Sequence, residues 1–233
     1  MQSAVLVPAH NEADSLASTL DRVRAFLPTA VVVVVNSGST DDTAAIAKAW
    51  GARVIEQGGT GYARALSTGY RACARMGFQQ VLQLDADGQH PPEEGARLLE
   101  ALQDADWVIG SRSERSPSPL VRRAARRVLA VAVQSLTRQP LQDVTSGYWA
   151  LNQRALQVFA EHFPLDVADA NIRVLGDRMG LRMKEIPVEM TSRSQGESMH
   201  DGWAGAWNFA QSLGALHRAA RIPSQGGRQG LAV

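Results

Sequence analysis

Five consecutive valines occupy positions 31–35, and no other feature of this chain restricts its fold as strongly. β-Branched side chains favour a pleated backbone. An unbroken apolar run leaves no face for solvent, so a strand at 31–35 must be covered on both sides, as in a parallel sheet flanked by helices. The surrounding sequence supplies the other parts of such a sheet. Residues 4–7 read as a strand, and Leu16, Leu20, Val23 and Leu27 then recur at helical spacing. Ser39 or Thr40 is expected to cap a helix whose first turn holds Asp41 and Asp42. A strand at 53–55, a helix at 61–75, a strand at 81–84, a helix marked by Leu98, Leu99 and Leu102, and a strand at 107–109 follow. This alternation predicts an α/β fold, a Rossmann-like, mainly parallel sheet with helices on both faces.

The second half is less regular. It reads as a helix at 120–136, a strand at 148–151, helices at 155–159 and 171–179, a strand within 182–190 and a last helix at 203–218. Trp203 and Trp207 are expected to pack one face of that helix. Gly, Gln and Ser crowd the end of the chain. We therefore expect a single domain over 1–220, with a C-terminal elaboration, and a mobile tail over 221–233.

Composition narrows the function classes. The formal net charge of +1 offers no electrostatic footprint for nucleic acid. With Cys73 the single cysteine, an intrachain disulfide and a cysteine-based zinc site are impossible, and a cytoplasmic setting fits. The opening MQSAVLVPAHNE has no basic leader. The longest apolar run, 128–133, is far short of the roughly 20 residues that span a bilayer. The chain is expected not to cross a membrane, although peripheral contact with its inner face stays open.

The segment Asp85-Ala86-Asp87-Gly88-Gln89-His90 carries the strongest chemical signal. It follows a strand pattern, and if the extended geometry persists, positions 85, 87 and 89 point to one side. Two carboxylates and an amide oxygen would then meet at the carboxyl edge of the sheet, where open α/β folds bind ligands. Hard oxygen donors of this kind suit Mg²⁺ or Mn²⁺. The alternative is a solvated acidic turn.

Ordered motifs surround this segment: VLVPAHNE at 5–12, NSGSTDDT at 36–43, GTGYARALSTG at 59–69, DADGQHPPE at 85–93, GSR at 110–112, TSGYWALN at 145–152 and EIPVEMTSR at 185–193. In this order the chain resembles the family 2 glycosyltransferases, within them the dolichol-phosphate-mannose-synthase-like group. The resemblance implies a GT-A fold, a nucleotide-sugar donor, and inversion at the anomeric carbon. It implies that Pro8, His10, Asn11 and Glu12 hold the donor nucleoside, with Glu12 near ribose or base; helix capping by Asn11 or Asp14 is the structural alternative.

The segment containing Asn36 and Gly38 would face the base. Relatives usually carry Asp at position 36, and Asn36 offers one carbonyl oxygen and two donors instead, leaving UDP, GDP and other nucleotides open. Arg64, after Gly59-Thr60-Gly61, would meet a donor phosphate, unless that stretch is only a tight turn. Arg112 could grip an acceptor or donor phosphate, or form a salt bridge. Arg193 and Ser198 match a family pattern around phosphate, although Met199-His200 departs from it. Asp169 is the candidate base, but a lipid phosphate is already anionic and needs none. Arg122, Arg123, Arg126 and Arg127 form a basic face within 120–136, which suits either a membrane surface and a polyprenyl-phosphate acceptor or plain solvation.

These readings make the chain an inverting glycosyltransferase, with Asp87 and Asp85 or Gln89 on the metal. Nucleotidyl transfer is one competitor, but it calls for a Gly-rich basic loop after the first strand. A non-catalytic sugar- or lipid-binding module that keeps the fold is another.

Overall fold

The computed structural model describes residues 2–112, 120–137, 139–190 and 203–224. In chain order the elements are β1 (Ser3–Ala9), α1 (Ala13–Phe26), β2 (Val31–Asn36), α2 (Thr43–Trp50), β3 (Arg53–Glu56), α3 (Tyr62–Arg75), β4 (Gln80–Gln83) and α4 (Gly95–Glu100). Then come β5 (Trp107–Arg112), α5 (Leu120–Thr137), β6 (Trp149–Asn152), α6 (Gln153–His162), α7 (Asn171–Arg178), β7 (Met183–Val188) and α8 (Trp203–Ala220). The strands form one seven-stranded sheet in the order β3-β2-β1-β4-β6-β5-β7.

The valine run behaves as its composition demands. Val32 and Val34 join Val5, Val7, Leu82 and Val108 in a core under α1, α2 and α4. Val33 and Val35 join Leu6, Trp107, Trp149 and Phe159 in a second core on the opposite face. Each buried valine contributes roughly 1.5–3 kcal/mol relative to an exposed one. Gly69 lets α3 lie close on the sheet, since a Cβ there would stand 2.5 Å from a Leu6 methyl.

All pairings are parallel except those of β6, which runs antiparallel to both β4 and β5. The reversal places the start of β6, Trp149, beside Gln83 and Ile109 near the ends of β4 and β5. The loop leading into β6, residues 141–148, therefore lies over the carboxyl edge.

The expected cap of α2 is corrected. The helix begins at Thr43, and Asp41 rather than Ser39 or Thr40 accepts from the Thr43 amide, at 3.0 Å. Asp41 and Asp42 precede the helix instead of filling its first turn. In the expected tail, Ile222 packs against the core, while residues from 225 onward lie outside the described residues, as do the side chains of Trp203 and Trp207.

Candidate active site

The loops after β1 and β2 lock together at the carboxyl edge. The His10 Nδ1–H donates to the Ser37 carbonyl at 2.7 Å. Asn11 adopts a left-handed backbone (φ 53°), its amide donating to Ser39 Oγ and its Oδ1 accepting from the Thr40 amide at 2.8 Å. The Glu12 and Ala13 amides donate to Thr43 Oγ1 and Asp41 Oδ2. The first turn of α1 is thus capped from the neighbouring loop, not by Asn11 or Asp14. Hydrogen bonds from Thr43 and Ala13 outweigh the opposing effect of burial and hold the Asp41 carboxyl below its ordinary range. The Glu12 carboxylate accepts from Ser15 Oγ at 2.6 Å.

Asn36 ends β2 in register with Glu56, which ends β3. Its amide donates to the Glu56 carboxylate at 2.6 Å, and its Oδ1 accepts from the Ser39 amide. The Asn36 and Lys48 hydrogen bonds hold the Glu56 carboxyl below its usual range. A carboxylate therefore stands at this corner even though position 36 is an amide. The sequence signal for Glu56 was its place at a strand end. Gly38 (φ +67°) allows the loops to meet, a Cβ there falling 3.0 Å from the Gly59 carbonyl oxygen. Pro8 is buried within β1, and Arg64 is exposed on the first turn of α3.

The acidic segment is a turn, which corrects the expectation of extended geometry. Gly88 takes φ +77°, and the Gln89 amide donates back to Asp87 Oδ1 at 3.0 Å. The Asp85 amide donates to His90 Nδ1 at 2.9 Å, which places the ring proton on Nε2. His90 is buried and stacks on Tyr148 at 5.1 Å. Burial presses its pKa down to about 4 against the raising effect of Asp87. Its Nδ1 also lies 3.7 Å from Asp85 Oδ2, but a neutral ring makes this a dipolar contact rather than an ion pair.

Arg112, at the end of β5, is held by the loop before β6. Its Nε and Nη2 donate to Asp143 at 2.7 and 2.8 Å, and Nη2 also to Thr145 Oγ1. Glu185 in turn accepts from the Gln142 and Asp143 amides. The salt-bridge alternative for Arg112 is thus realised, with Asp143 as its partner. Asp143 and Glu185 escaped sequence reasoning because their partners are distant in the chain. Arg173, fully buried between Trp107 and Trp149, donates from Nη2 to the Ser146 carbonyl at 2.7 Å and fixes the same loop from below. Burial works to lower the Arg112 pKa, but the hydrogen bond and charge of Asp143, helped by the charges of Asp169 and Asp85, outweigh it and raise it. Asp169 accepts from the Ser212 hydroxyl of α8. Arg193 and Ser198 lie outside the described residues.

Among the described residues no three His, Cys, Asp or Glu side chains gather as a metal cage. Two part-exposed carboxylates and an amide are nevertheless a fitting set for a hard divalent ion that takes its remaining oxygens from substrate phosphates.

Residues 4–159 match the family described as Glycosyl transferase family 2. The undecaprenyl-phosphate mannosyltransferase of Micrococcus luteus is 31% identical over 87% of this chain and 88% of its own length. The polyprenol monophosphomannose synthase of Mycolicibacterium smegmatis is 30% identical over 86% of this chain and 82% of its own. Glucosyl-3-phosphoglycerate synthase from Mycobacterium tuberculosis, solved with Mn²⁺, UDP and phosphoglyceric acid, aligns with a TM-score of 0.69 at 19% identity, covering 97% of this chain and 80% of that one. At that identity the structural likeness speaks for a shared GT-A fold. The family match and the two long relatives carry the assignment further, and the chain belongs to glycosyltransferase family 2.

Proposed function

We propose that this enzyme transfers a sugar, with inversion, from a nucleotide sugar to a polyprenyl phosphate. The observation that carries the reading is that the loop before β6 joins Arg112 to the acidic turn at the carboxyl edge: Asp143 and Thr145 hold the Arg112 guanidinium, and a Cβ at Gly147 would stand 3.5 Å from Asp85 Oδ2. The printed activities of the long relatives support the lipid-phosphate acceptor.

In this reading Pro8, His10, Asn11, Glu12, Asn36 and Gly38 form the nucleoside side, and Arg64 approaches the donor phosphates. Asp85 and Asp87, with Gln89, would hold Mg²⁺ or Mn²⁺, as solved structures of the same fold contain either ion. The ion supplies positive charge that offsets the departing diphosphate. Arg112, clamped by Asp143, acts as a fixed charge on the acceptor side, with Arg193 and Ser198 assigned there from sequence. An anionic phosphate oxygen attacks without losing a proton, so Asp169 would orient rather than deprotonate.

No helix among the described residues is long and apolar enough to cross a membrane. Contact with a lipid surface would fall to α5, where Val128 and Val131 are 55% and 61% exposed and Arg127 is exposed beside them. In this reading the enzyme works at the inner face of a membrane, with one domain over 1–220 doing the work.

The test is a panel of labelled nucleotide sugars with undecaprenyl phosphate and Mn²⁺, read as label moving into the organic phase. Label moving only to water-soluble acceptors would overturn the acceptor assignment.

A further inference from the structure

Asp85 sits at the end of a hydrogen-bond chain that runs between α3 and the strands β4 and β6. The Trp149 indole N–H donates to Tyr70 Oη at 2.8 Å, and the Tyr70 hydroxyl donates to Gln83 Oε1 at 3.1 Å. Gln83 Nε2 donates to Tyr62 Oη at 3.1 Å, and the Tyr62 hydroxyl donates to Asp85 Oδ1 at 3.0 Å. The direction of every link is forced. An indole N–H can only donate and a carboxylate can only accept, so the hydroxyls between them have one consistent arrangement. Trp149, Tyr70 and Gln83 are fully or almost fully buried, so the inner links lie in a low-dielectric interior where aligned hydrogen bonds reinforce one another, while Tyr62 at the outer end is 38% exposed.

Gly147 keeps room for the last link. A Cβ at Gly147 would stand 2.8 Å from Tyr62 Oη, while its distances to Asp85 Oδ2 and His90 Cε1 would be ordinary contacts of 3.5 and 3.6 Å. Gly147 is not among the glycines with positive φ, so its backbone would accept alanine. What excludes a side chain there is the Tyr62 hydroxyl.

We propose that Tyr62, held by Gln83 and given room by Gly147, is a positioning residue that fixes the Asp85 carboxylate for the divalent ion. The proposal rests on the metal reading of Asp85 given above. The hydroxyl holds Oδ1 and sets the plane of the carboxylate. Tyr62 lies 23 residues from Asp85 in sequence and on another element, so only the fold brings the pair together.

Mn²⁺ binding, read by the electron paramagnetic resonance of the free ion, tests this with UDP or GDP present in separate arms. Tyr62→Phe keeps the ring and removes only the donor, and thermal unfolding checks that the protein stays folded. We expect Mn²⁺ affinity to fall roughly 10-fold, the lower end of what lost partners of metal ligands cost. Gly147→Ala should cause a similar loss in the wild-type background and almost none when added to Tyr62→Phe, because the obstructing oxygen is gone. Asp85→Asn separates the two levels of the argument. If Asp85→Asn, or the absence of Mn²⁺ binding by wild type in both arms, shows that Asp85 holds no ion, the underlying reading falls and the proposal with it. If Asp85→Asn loses the ion but Tyr62→Phe retains full affinity, the positioning role alone is overturned. Equal losses from Gly147→Ala in both backgrounds would also overturn it.

Discussion

Asp106 joins three parts of the sheet at the edge opposite the site, and its replacement has a calculable cost. Its carboxylate is 4% exposed. It accepts from Asn152 Nδ2, Arg154 Nη1 and the Arg182 amide, each at 2.9 Å, and from the Arg182 guanidinium at 3.3 Å. Burial pushes the carboxyl up, but the Arg182 and Asn152 hydrogen bonds outweigh it and bring the pKa from 3.8 to about 2. A depressed carboxyl stabilises the fold above its unfolded pKa and loses that contribution as the pH falls towards the folded value. The shift corresponds to about 2 kcal/mol at neutral pH. Asp106→Asn should therefore lower the urea-unfolding free energy by about 2 kcal/mol at pH 7, and the gap to wild type should narrow by about 1 kcal/mol at pH 3. Transfer activity should survive at moderate temperature. A gap that is equal at both pH values would refute the reasoning, since it would mean that ionisation of Asp106 contributes nothing.

Three further outcomes follow from other parts of the molecule. Replacing Arg122, Arg123, Arg126 and Arg127 with glutamine should weaken binding to anionic vesicles by roughly 1 kcal/mol per arginine near the surface; equal binding at low salt would make α5 purely structural. His90→Phe keeps a ring on Tyr148 but removes the acceptor of the Asp85 amide, and should cost about 1–3 kcal/mol in urea unfolding, with no loss if that bond is dispensable. Asp169→Asn should reduce transfer to a hydroxyl acceptor by on the order of 10²–10⁴ if Asp169 is a base, and transfer to a lipid phosphate far less; comparable losses on both acceptors would contradict the proton argument.

The sequence was most informative where one local property decides the outcome. The valine run required cover on both faces, and Val32 to Val35 divide between two cores as that requirement implies. Helical spacing in Leu16, Leu20 and Val23 located α1, whose buried face contains all three. Properties set by tertiary context were not legible. The antiparallel direction of β6 depends on how the chain returns after α5, and four residues of strand carry no mark of direction. The turn at 85–89 could have been anticipated from Gly88, because an Asp-Gly pair favours a left-handed turn over continued extension. The links Asn36–Glu56, Arg112–Asp143 and Tyr62–Asp85 join residues 20 to 31 positions apart, and only the sheet order makes them neighbours.

The central claim, that the turn at 85–89 holds a divalent ion and through it the donor diphosphate, is tested most directly by nucleotide binding measured calorimetrically with Mn²⁺ and after chelation, in wild type and Asp87→Ala. Asp87 is part-exposed beyond the end of β4, so the variant should keep its fold and thermal transition. The account predicts that wild type binds nucleotide more tightly with Mn²⁺ than without, and that Asp87→Ala loses this difference entirely. An Asp87→Ala protein that binds Mn²⁺ and nucleotide as tightly as wild type would contradict it.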